Sequence, residues 1–338
     1  MLNWLRLNDK QFTFDELRLG QFPKSDSDFE IATLRFCNDW LSDKREFEFQ
    51  SSGSTGSVRK IPFTRKQIIS SIERSQKALN FKRGETALVC LDTRYVAGLM
   101  MLARCLHSGM NCIVVDPTVN PLEKLGGVTL HFAAFVPYQI QAILNSPDLE
   151  LFNRIQTKII GGAPINQNIK TKLKHLPNSI YATYGMTETL THIALQKLNQ
   201  PGRSEVFHAL EGISVDSDER SCLKIRIPSF QEGEIVTNDV VELLGSNQFI
   251  WKGRFDNIIN SGGIKVNPEK IESAVEKITN DLSIKMNFMA AGIDDVKLGQ
   301  KIILISDAQV SDTQQKKNTG YTCFSSHSLR NAAQFYSG

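Results

Sequence analysis

A stretch of small, hydroxylated and basic residues near the start of the chain has the composition of a phosphate-binding loop. Ser51-Ser52-Gly53-Ser54-Thr55-Gly56-Ser57-Val58-Arg59-Lys60 contains two glycines, four serines, one threonine and two cations. Backbone N–H groups, hydroxyls and positive charge are the groups that bind a polyphosphate such as that of ATP. The P-loop spacing G-x-x-x-x-G-K-[ST] is absent, which disfavours a P-loop NTPase. Taken alone, the stretch also fits a flexible polar linker.

Two further motifs carry chemistry. Tyr181-Ala182-Thr183-Tyr184-Gly185-Met186-Thr187-Glu188-Thr189 combines aromatic rings, a glycine turn, hydroxyls and one carboxylate. We expect Tyr184 to stack on a base and Glu188 to hold a magnesium ion. Gly253-Arg254-Phe255-Asp256 offers a guanidinium and a carboxylate two residues on. Taken singly, these motifs also fit a buried tyrosine beside a turn and a surface ion pair.

The elements around these motifs alternate between strand and helix. Thr86 to Leu91 is a short apolar run, Val96 to Leu106 has helical apolar spacing, and Asn111 to Val115 is again strand-like. The same order recurs from Thr157 to Thr183, which predicts an α/β sheet with ligands at the carboxyl ends of its strands. After about residue 200 the chain becomes β-rich, and a helix from Pro268 to Ile278 followed by two strands predicts a small α+β unit.

Composition excludes several classes of protein. The 338 residues carry 39 Lys and Arg against 36 Asp and Glu, a net charge of +3, so we expect no nucleic-acid partner and no membrane partner. The six cysteines form no CxxC pair, and there is no apolar run of the roughly 18 residues needed to span a bilayer. With no signal-peptide pattern after Met1, these features predict a cytoplasmic protein.

The motifs, in this order, resemble those of the adenylate-forming superfamily of acyl- and aryl-CoA ligases, luciferases and nonribosomal adenylation domains. The resemblance covers about residues 50 to 305. It implies an α/β fold in which a large adenylation domain of sheets flanked by helices, residues 1–256, is joined by a hinge at Asp256 to a small α+β domain, residues 257–338. It implies a nucleotide site formed by Ser52, Gly53, Ser54, Thr55, Gly56, Gly161, Gly162, Ala163, Tyr184, Gly185, Asp239 and Arg254.

The same resemblance implies an ATP-dependent carboxylate–CoA ligase that works through an acyl-adenylate and forms a carbon–sulfur bond. Arg59, Thr187 and Glu188 take the catalytic positions, with Mg²⁺ at Glu188. ATP and Mg²⁺ are the implied cofactors, and CoA and a small carboxylic acid the implied co-substrates. A loop with Gly262, Gly263 and Lys265 is implied to enter the site for thioester formation. A homodimer is kept as a candidate assembly.

The segment Thr129 to Ile140 resembles the acyl pocket of the o-succinylbenzoate–CoA ligases of menaquinone biosynthesis. This resemblance implies o-succinylbenzoate as the acid and places His131 and Phe132 in the substrate pocket. A histidine held within the core is the alternative interpretation of His131. Another aryl- or acyl-CoA ligase is the alternative function.

The chain departs from the family pattern at two places. Arg59 stands where the family's phosphate loop usually has lysine, which keeps the charge but changes its geometry. Near the end, Thr319-Gly320-Tyr321 has tyrosine where the family's Thr-Gly-Lys supplies the adenylation lysine. We therefore expect the small domain to be incomplete or aberrant after about residue 310. A nucleotide-binding protein that lacks full adenylation activity is a further alternative.

Overall fold

The computed structural model describes residues 3–50, 60–230, 233–282, 284, 286, 288–306 and 322–324. The helices of this part are α1 (Phe14–Arg18), α2 (Asp28–Leu41), α3 (Arg65–Leu79), α4 (Val96–Ser108), α5 (Pro137–Ile143), α6 (Leu149–Arg154), α7 (Gln167–Leu173) and α8 (Pro268–Asp281). The strands are β1 (Trp4–Leu7), β2 (Lys10–Thr13), β3 (Glu46–Gln50), β4 (Lys60–Thr64), β5 (Thr86–Val89), β6 (Asn111–Val114), β7 (Phe132–Phe135), β8 (Thr157–Ile160), β9 (Ser179–Gly185), β10 (His192–Lys197), β11 (Phe207–Ala209), β12 (Ser214–Ser217), β13 (Cys222–Arg226), β14 (Ile235–Gly245), β15 (Gln248–Arg254), β16 (Ile259–Ser261), β17 (Ile264–Val266), β18 (Phe288–Asp295), β19 (Gly299–Ser306) and β20 (Thr322–Phe324).

A parallel block forms the centre of the largest sheet. Its strands lie in the order β9-β8-β7-β5-β6-β1, and each neighbouring pair runs parallel. Strand β7 shows why both faces are buried: Phe132 and Ala134 join one apolar cluster, and Ala133 and Phe135 join a second one. Such short, continuously apolar strands are typical of parallel sheets covered by helices on both faces. The α/β fold class predicted from the sequence is confirmed.

Antiparallel strands extend this block on both sides. Strand β2 pairs with β1 at one end, and β10, β11, β15, β14, β13 and β12 follow β9 at the other. The sheet thereby reaches 13 strands in the described residues. The β-rich segments expected after residue 200 belong to this antiparallel extension. The motif Tyr181–Thr189 lies where the extension meets the parallel block, because β9 pairs parallel with β8 and antiparallel with β10.

A second sheet follows the first along the chain. Strand β15 ends at Arg254, a turn of 3₁₀-helix covers Phe255–Asn257, and β16 begins at Ile259. From there the described strands form a separate sheet in the order β17-β16-β19-β18, with β20 paired to β19 and α8 packed against β18. Ile271 of α8, Ala290 and Leu304 form its small apolar core.

Strands β3 and β4 form a hairpin of their own. Gln50, the last residue of β3, pairs with Lys60, the first residue of β4. The segment 51–59 that joins them lies outside the described residues, and so do the predicted phosphate-binding residues Ser52, Gly53, Ser54, Thr55, Gly56 and Arg59. Among the helices that the structure describes, none is both long enough and apolar enough to cross a membrane.

Candidate functional site

The loop after β8 lies tightly against β9. Ile160 and Ala182 are register partners, so Gly161 and Thr183 stand side by side. A Cβ atom on Gly161 would lie 2.1 Å from the Thr183 Oγ1 atom, which only glycine avoids. The Gly161 amide donates to the Phe135 carbonyl at 3.0 Å, whereas Gly162 and Ala163 face solvent. Three of the predicted nucleotide-site residues therefore lie at the carboxyl end of β8.

The second motif forms a sharp turn at the end of β9. Gly185 is so close to the next strand that a Cβ atom would lie 2.4 Å from the Thr191 carbonyl oxygen. Thr187 to Thr189 form a single turn of 3₁₀-helix. The Thr189 hydroxyl accepts from the Met186 amide at 2.9 Å and lies 2.8 Å from the Thr191 carbonyl oxygen. These bonds close the turn and fix the backbone on both sides of Glu188.

Glu188 is exposed and has no hydrogen bond or ion pair with any other described residue. Its carboxylate is therefore available to a ligand. Within the described residues, no group of three or more His, Cys, Asp or Glu side chains is arranged to hold a metal ion. A Mg²⁺ ion held at Glu188 would need further oxygen ligands from phosphate and water, which are ligands that this ion commonly takes. The residues present fit Mg²⁺ bound together with a nucleotide.

Tyr184 and Asp239 join two motifs that are 55 residues apart. The Tyr184 hydroxyl donates to Asp239 Oδ2 at 2.7 Å, and the Trp251 indole N–H donates to Oδ1 at 3.1 Å. Asp239 is 8% exposed. Burial, together with the neighbouring Asp239 carboxylate, raises the pKa of the Tyr184 hydroxyl, so it remains a donor. Each carboxylate oxygen keeps a second lone pair that ribose hydroxyls can use.

The rings around Tyr184 hold it in place. Its ring meets Phe249 edge-on at a centroid distance of 5.1 Å and Phe207 at 5.9 Å. Phe207 and Phe249 are themselves stacked at 5.4 Å. The predicted stacking of Tyr184 on a base stays a prediction. The observed contacts show that the ring is already packed on one side by apolar neighbours.

Arg254 stands beside Asp239 and marks the end of β15. The two residues are register partners on β14 and β15. Arg254 donates to Asp256 Oδ2 at 2.6 Å, and Asn238 donates to the same oxygen at 3.3 Å. The hydrogen bond from Arg254 holds the pKa of Asp256 below its ordinary value, and the same bond raises the pKa of Arg254. The structure therefore brings Tyr184, Asp239, Arg254 and Asp256 together.

Three residues of this cluster were not predicted as site residues from the sequence. Trp251 donates to Asp239, Asn238 bonds Asp256, and Arg220 donates to Asn238 Oδ1 at 3.0 Å while its guanidinium lies 5.1 Å from the Phe255 ring centre. Trp251 offered one signal, because an indole N–H on a half-buried strand needs a nearby acceptor. Arg220 offered none, since its place depends on how β13 pairs with β14.

A buried polar cluster around Arg104 lies behind the β9 turn. Arg104 of α4 is 2% exposed and donates to Thr191 Oγ1 at 2.7 Å. His192 Nδ1 lies 3.4 Å from the same guanidinium, and its Nε2 atom lies 3.2 Å from the Ser75 hydroxyl. Burial lowers the pKa of Arg104 to about 10 and, with Arg104 nearby, lowers the pKa of His192. Among the described residues no carboxylate pairs with Arg104, and its buried Nε atom has no hydrogen-bond partner.

His131 and Phe132 are not brought to the other residues. They lie at the amino end of β7, where the Thr86 amide donates to His131 Nδ1 at 3.0 Å. Phe132 is fully buried and stacks on Phe81 at 5.0 Å. The site motifs lie at the opposite, carboxyl ends of these parallel strands. We therefore leave both residues out of the site, and the alternative interpretation of His131 as a structural residue is the one that its contacts favour.

The glycine loop predicted for the thioester step lies on the second sheet. Gly262 and Gly263 form the turn between β16 and β17, and the Gly262 amide donates to the Leu298 carbonyl at 2.8 Å. Gly262, Gly263 and Lys265 are all exposed, and Ile264 is 68% exposed. The role of this turn stays a prediction.

Comparisons with known proteins identify the family of the chain. The family described as AMP-binding enzyme matches residues 49–237, more than half of the chain. A 2-succinylbenzoate–CoA ligase from Lactococcus lactis is 26% identical over 326 residues, which cover 90% of this chain and 70% of that enzyme.

Solved structures share the fold. An acyl-CoA synthetase (AMP-forming)/AMP-acid ligase II-like protein from Dyadobacter fermentans is 34% identical, with a TM-score of 0.66 and 91% of each chain covered. The o-succinylbenzoate–CoA synthetase from Bacillus subtilis in complex with ATP and magnesium has a TM-score of 0.65 at 16% identity, with 82% of this chain and 66% of that chain covered. At that identity the second likeness concerns the fold alone.

These findings confirm the family, and with it the enzyme class, that the order of the motifs predicted. The match begins at the end of β3, includes the segment 51–59 and the turn after β9, and ends two residues before Asp239. In this chain the predicted site residues lie around one end of the central sheet: Gly161, Tyr184, Glu188, Asp239 and Arg254. The chain belongs to the AMP-binding enzyme family.

Proposed function

We propose that this protein is an ATP-dependent ligase that joins o-succinylbenzoate to CoA through an acyl-adenylate. The observation that carries the proposal is the meeting of the β8 loop, the β9 turn, Asp239 and Arg254 at one end of the sheet. Ligands of open α/β sheets bind at this end, outside the carboxyl ends of the parallel strands. The similarity to the 2-succinylbenzoate–CoA ligase from Lactococcus lactis supports the choice of acid.

Different residues are proposed to bind different parts of the nucleotide. Gly161, Gly162 and Ala163 lie beside the adenine, and the Tyr184 ring contacts the base. Asp239 accepts from the ribose hydroxyls, and Arg254 places a positive charge next to it. Ser52, Gly53, Ser54, Thr55, Gly56 and Arg59 are proposed to bind the phosphates, supported by their composition and by the pairing of Gln50 with Lys60 at the base of the segment.

The reaction has two halves. In the first, a carboxylate oxygen of the acid attacks the α-phosphorus of ATP, and pyrophosphate leaves with the bonding electrons. In the second, the CoA thiolate attacks the acyl carbon, and AMP leaves. The protein contributes position and charge and needs no covalent nucleophile. Mg²⁺, when bound, neutralises phosphate charge; Glu188 is the side chain that would hold it, with the Thr187 hydroxyl beside it.

Arg104 supplies the charge that a second carboxylate requires. o-Succinylbenzoate has two carboxylates, and only one of them is activated. Arg104 is a buried cation with no carboxylate partner among the described residues, and it bonds Thr191 three residues beyond Glu188. A buried charge without a counter-charge is costly, so an anionic group of the substrate is a suitable partner for Arg104. We therefore propose that Arg104 pairs with the carboxylate that is not activated.

The C-terminal unit is proposed to act in both halves as a separate small domain, residues 257–338. The change of sheet between Arg254 and Ile259 supports a hinge at Asp256. The exposed turn with Gly262, Gly263 and Lys265 is proposed to enter the site after adenylation. A homodimer is proposed as the assembly, and light scattering on the purified protein checks it.

The deciding experiment is a pyrophosphate-release assay with ATP, Mg²⁺ and a panel of acids. We expect o-succinylbenzoate to be preferred over benzoate and fatty acids, and CoA to be required for thioester but not for pyrophosphate. Arg104→Gln is expected to raise KM for o-succinylbenzoate and leave KM for ATP unchanged. If the enzyme preferred an acid with one carboxylate, o-succinylbenzoate would be wrong as the substrate, and another aryl or acyl acid would take its place.

A second candidate, a nucleotide-binding protein without full adenylation, is favoured by the tyrosine in Thr319-Gly320-Tyr321, which lies outside the described residues. It predicts ATP binding with pyrophosphate release slowed by orders of magnitude, while thioester still forms from supplied acyl-adenylate. Tyr321→Lys would then accelerate the first half only. Normal pyrophosphate release by the unaltered chain would eliminate this candidate.

A further inference from the structure

A carboxylate of the C-terminal unit contacts the first turn of α7. Glu276, on α8, accepts from the Gln167 amide at 2.8 Å and from the Asn168 amide at 2.6 Å. These are the first two amides of α7, which the helix itself leaves without acceptors. The third, Ile169, is capped locally by the Asn166 side chain at 2.8 Å. Glu276 therefore completes the cap of a helix more than a hundred residues away in the chain.

Helix α7 directly follows the Gly161–Pro164 loop, so a contact with its first turn also bears on the loop. Helix α7 begins three residues after Pro164, the last residue of the Gly161–Pro164 loop. Its first turn and that loop therefore form one continuous segment. Gly161 is already fixed on the other side by its contact with Thr183. Whatever holds the first turn of α7 also limits where Gly162 and Ala163 can lie.

Two further hydrogen bonds of the described residues lie at the connection between the C-terminal unit and the first sheet. Asn267, just before α8, donates to the Lys252 carbonyl, and Asn257 donates to Glu269 Oε1 at 3.1 Å. Glu276 lies nine residues beyond Asn267, roughly 13 Å along the helix at 1.5 Å per residue. A contact that far from the connection restrains the orientation of the unit more strongly than contacts beside it.

We propose that Glu276 is a positioning residue that fixes the C-terminal unit against α7 and so holds the Gly161–Pro164 loop in the form that receives the nucleotide. The inference rests on the proposed function, because that function places the nucleotide at this loop. By linkage, a nucleotide that prefers the ordered loop strengthens the Glu276 contact to the same degree that the contact strengthens nucleotide binding.

The contact itself is tested by hydrogen exchange on the full chain, without reference to activity. First-turn amides on an exposed helix end exchange rapidly unless they have an acceptor. We expect the Gln167 and Asn168 amides to be protected at least about tenfold more in the unaltered chain than in Glu276→Ala. Glu123→Gln is the matched control, since Glu123 is exposed and its side chain bonds no described residue. Equal exchange in the unaltered chain and Glu276→Ala would overturn the proposal.

The functional consequence is tested by comparing the two half-reactions. We expect Glu276→Ala to raise KM for ATP and to lower pyrophosphate exchange by about tenfold or more, with thioester formation from supplied acyl-adenylate retained. Glu276→Gln keeps one acceptor, so its KM for ATP and its rate of pyrophosphate exchange should lie between those of the unaltered chain and those of Glu276→Ala. An equal loss in both half-reactions, or no loss in either, would refute a positioning role. If the unaltered chain showed no pyrophosphate exchange, that result would count against the proposed function. Amide hydrogen exchange at Gln167 and Asn168 would still test the contact with Glu276.

Discussion

The Tyr184 hydroxyl donates a hydrogen bond of 2.7 Å to Asp239, and this bond connects the end of the parallel block to the antiparallel extension. Tyr184 ends a segment that the β-α-β pattern positions, whereas Asp239 comes from the β-rich half. The Trp251 indole donates to the other carboxylate oxygen. The two donors hold Asp239 in one orientation, and each of its carboxylate oxygens keeps a lone pair for a further donor.

Removing the Tyr184 hydroxyl should weaken both the fold and the nucleotide site. In Tyr184→Phe a buried carboxylate oxygen loses its donor, which typically costs about 1.5–3 kcal/mol for a bond to a charged group. We expect a matching fall in the free energy of unfolding in urea and a higher KM for ATP. Asp239→Asn should likewise lower the free energy of unfolding and raise KM for ATP.

A double-mutant cycle isolates the bond. If Tyr184 and Asp239 act through it, the effects of Tyr184→Phe and Asp239→Asn should be non-additive by about 0.5–3 kcal/mol. Phe207→Leu is a suitable comparison, because it alters the packing around Tyr184 and leaves the hydrogen bond in place. Strict additivity of the first pair would show that the bond contributes nothing measurable.

Gly161→Ala tests the close approach of the β8 loop to β9. The new methyl group would lie 2.1 Å from Thr183 Oγ1, so the loop or the strand must move. We expect a loss of about 1–3 kcal/mol in unfolding free energy, as for other overpacked sites, and a raised KM for ATP. Unfolding in urea and initial-rate kinetics measure the two effects.

The matched partner of that variant is Thr183→Ala, which removes the obstructing hydroxyl. The double variant Gly161→Ala/Thr183→Ala should recover most of the ATP affinity, although the bond from Thr183 to the Ile160 carbonyl is lost. Gly126→Ala is the control, since a Cβ atom there meets nothing within 4 Å. Failure of the double variant to recover affinity would assign the defect to something other than this contact.

Glu188→Gln should change the dependence on Mg²⁺ more than the dependence on the acid. The amide keeps the shape of the side chain and loses the charge that attracts the ion. We expect the Mg²⁺ concentration for half-maximal activity to rise by at least about tenfold, since loss of even outer-shell partners of a metal commonly costs that much. Magnesium titrations of the variant and of Glu123→Gln make the comparison. An unchanged titration would remove Glu188 from the metal site.

Lys158 should make stability depend on pH above neutrality. Its side chain is fully buried on β8 and donates to the carbonyls of Phe152, Ile155 and Pro177, at 3.2, 2.8 and 3.2 Å. Burial lowers its pKa to about 7 from 10.5. Between these values the unfolded chain binds the proton and the folded chain does not, so stability contributed by Lys158 rises with pH, by up to about 1.4 kcal/mol per unit.

The difference between the unaltered chain and Lys158→Met isolates this effect. Urea unfolding at several pH values from 6.5 to 10 should show the unaltered chain gaining stability relative to the variant as the pH rises through 7. Lys172→Met, at an exposed position, should show no such trend. Parallel stability curves for the unaltered chain and Lys158→Met would mean that the three carbonyls keep the ammonium charged.

The order of the motifs predicted the family, and short-range features predicted most of the elements. The strand-helix-strand runs around Val96 and Gln167 are local patterns of period and turn, so the parallel block followed from them. The exposed carboxylate at Glu188 and the glycine at 161 also lie within local motifs. In each case the chemistry and its supporting element are only a few residues apart.

The positions of His131, Trp251 and Glu276 were decided by tertiary structure. His131 resembles a pocket residue in sequence, yet its strand begins there, so it lies at the end of the sheet remote from the motifs. Trp251 reaches Asp239 only through the register of β14 with β15, and Glu276 reaches α7 across more than a hundred residues. The sequence by itself determined which side chains carry the chemistry, because residue type and local spacing are written in it. Only the tertiary structure decided which of them meet, because strand direction, register and long-range contacts result from packing the whole chain.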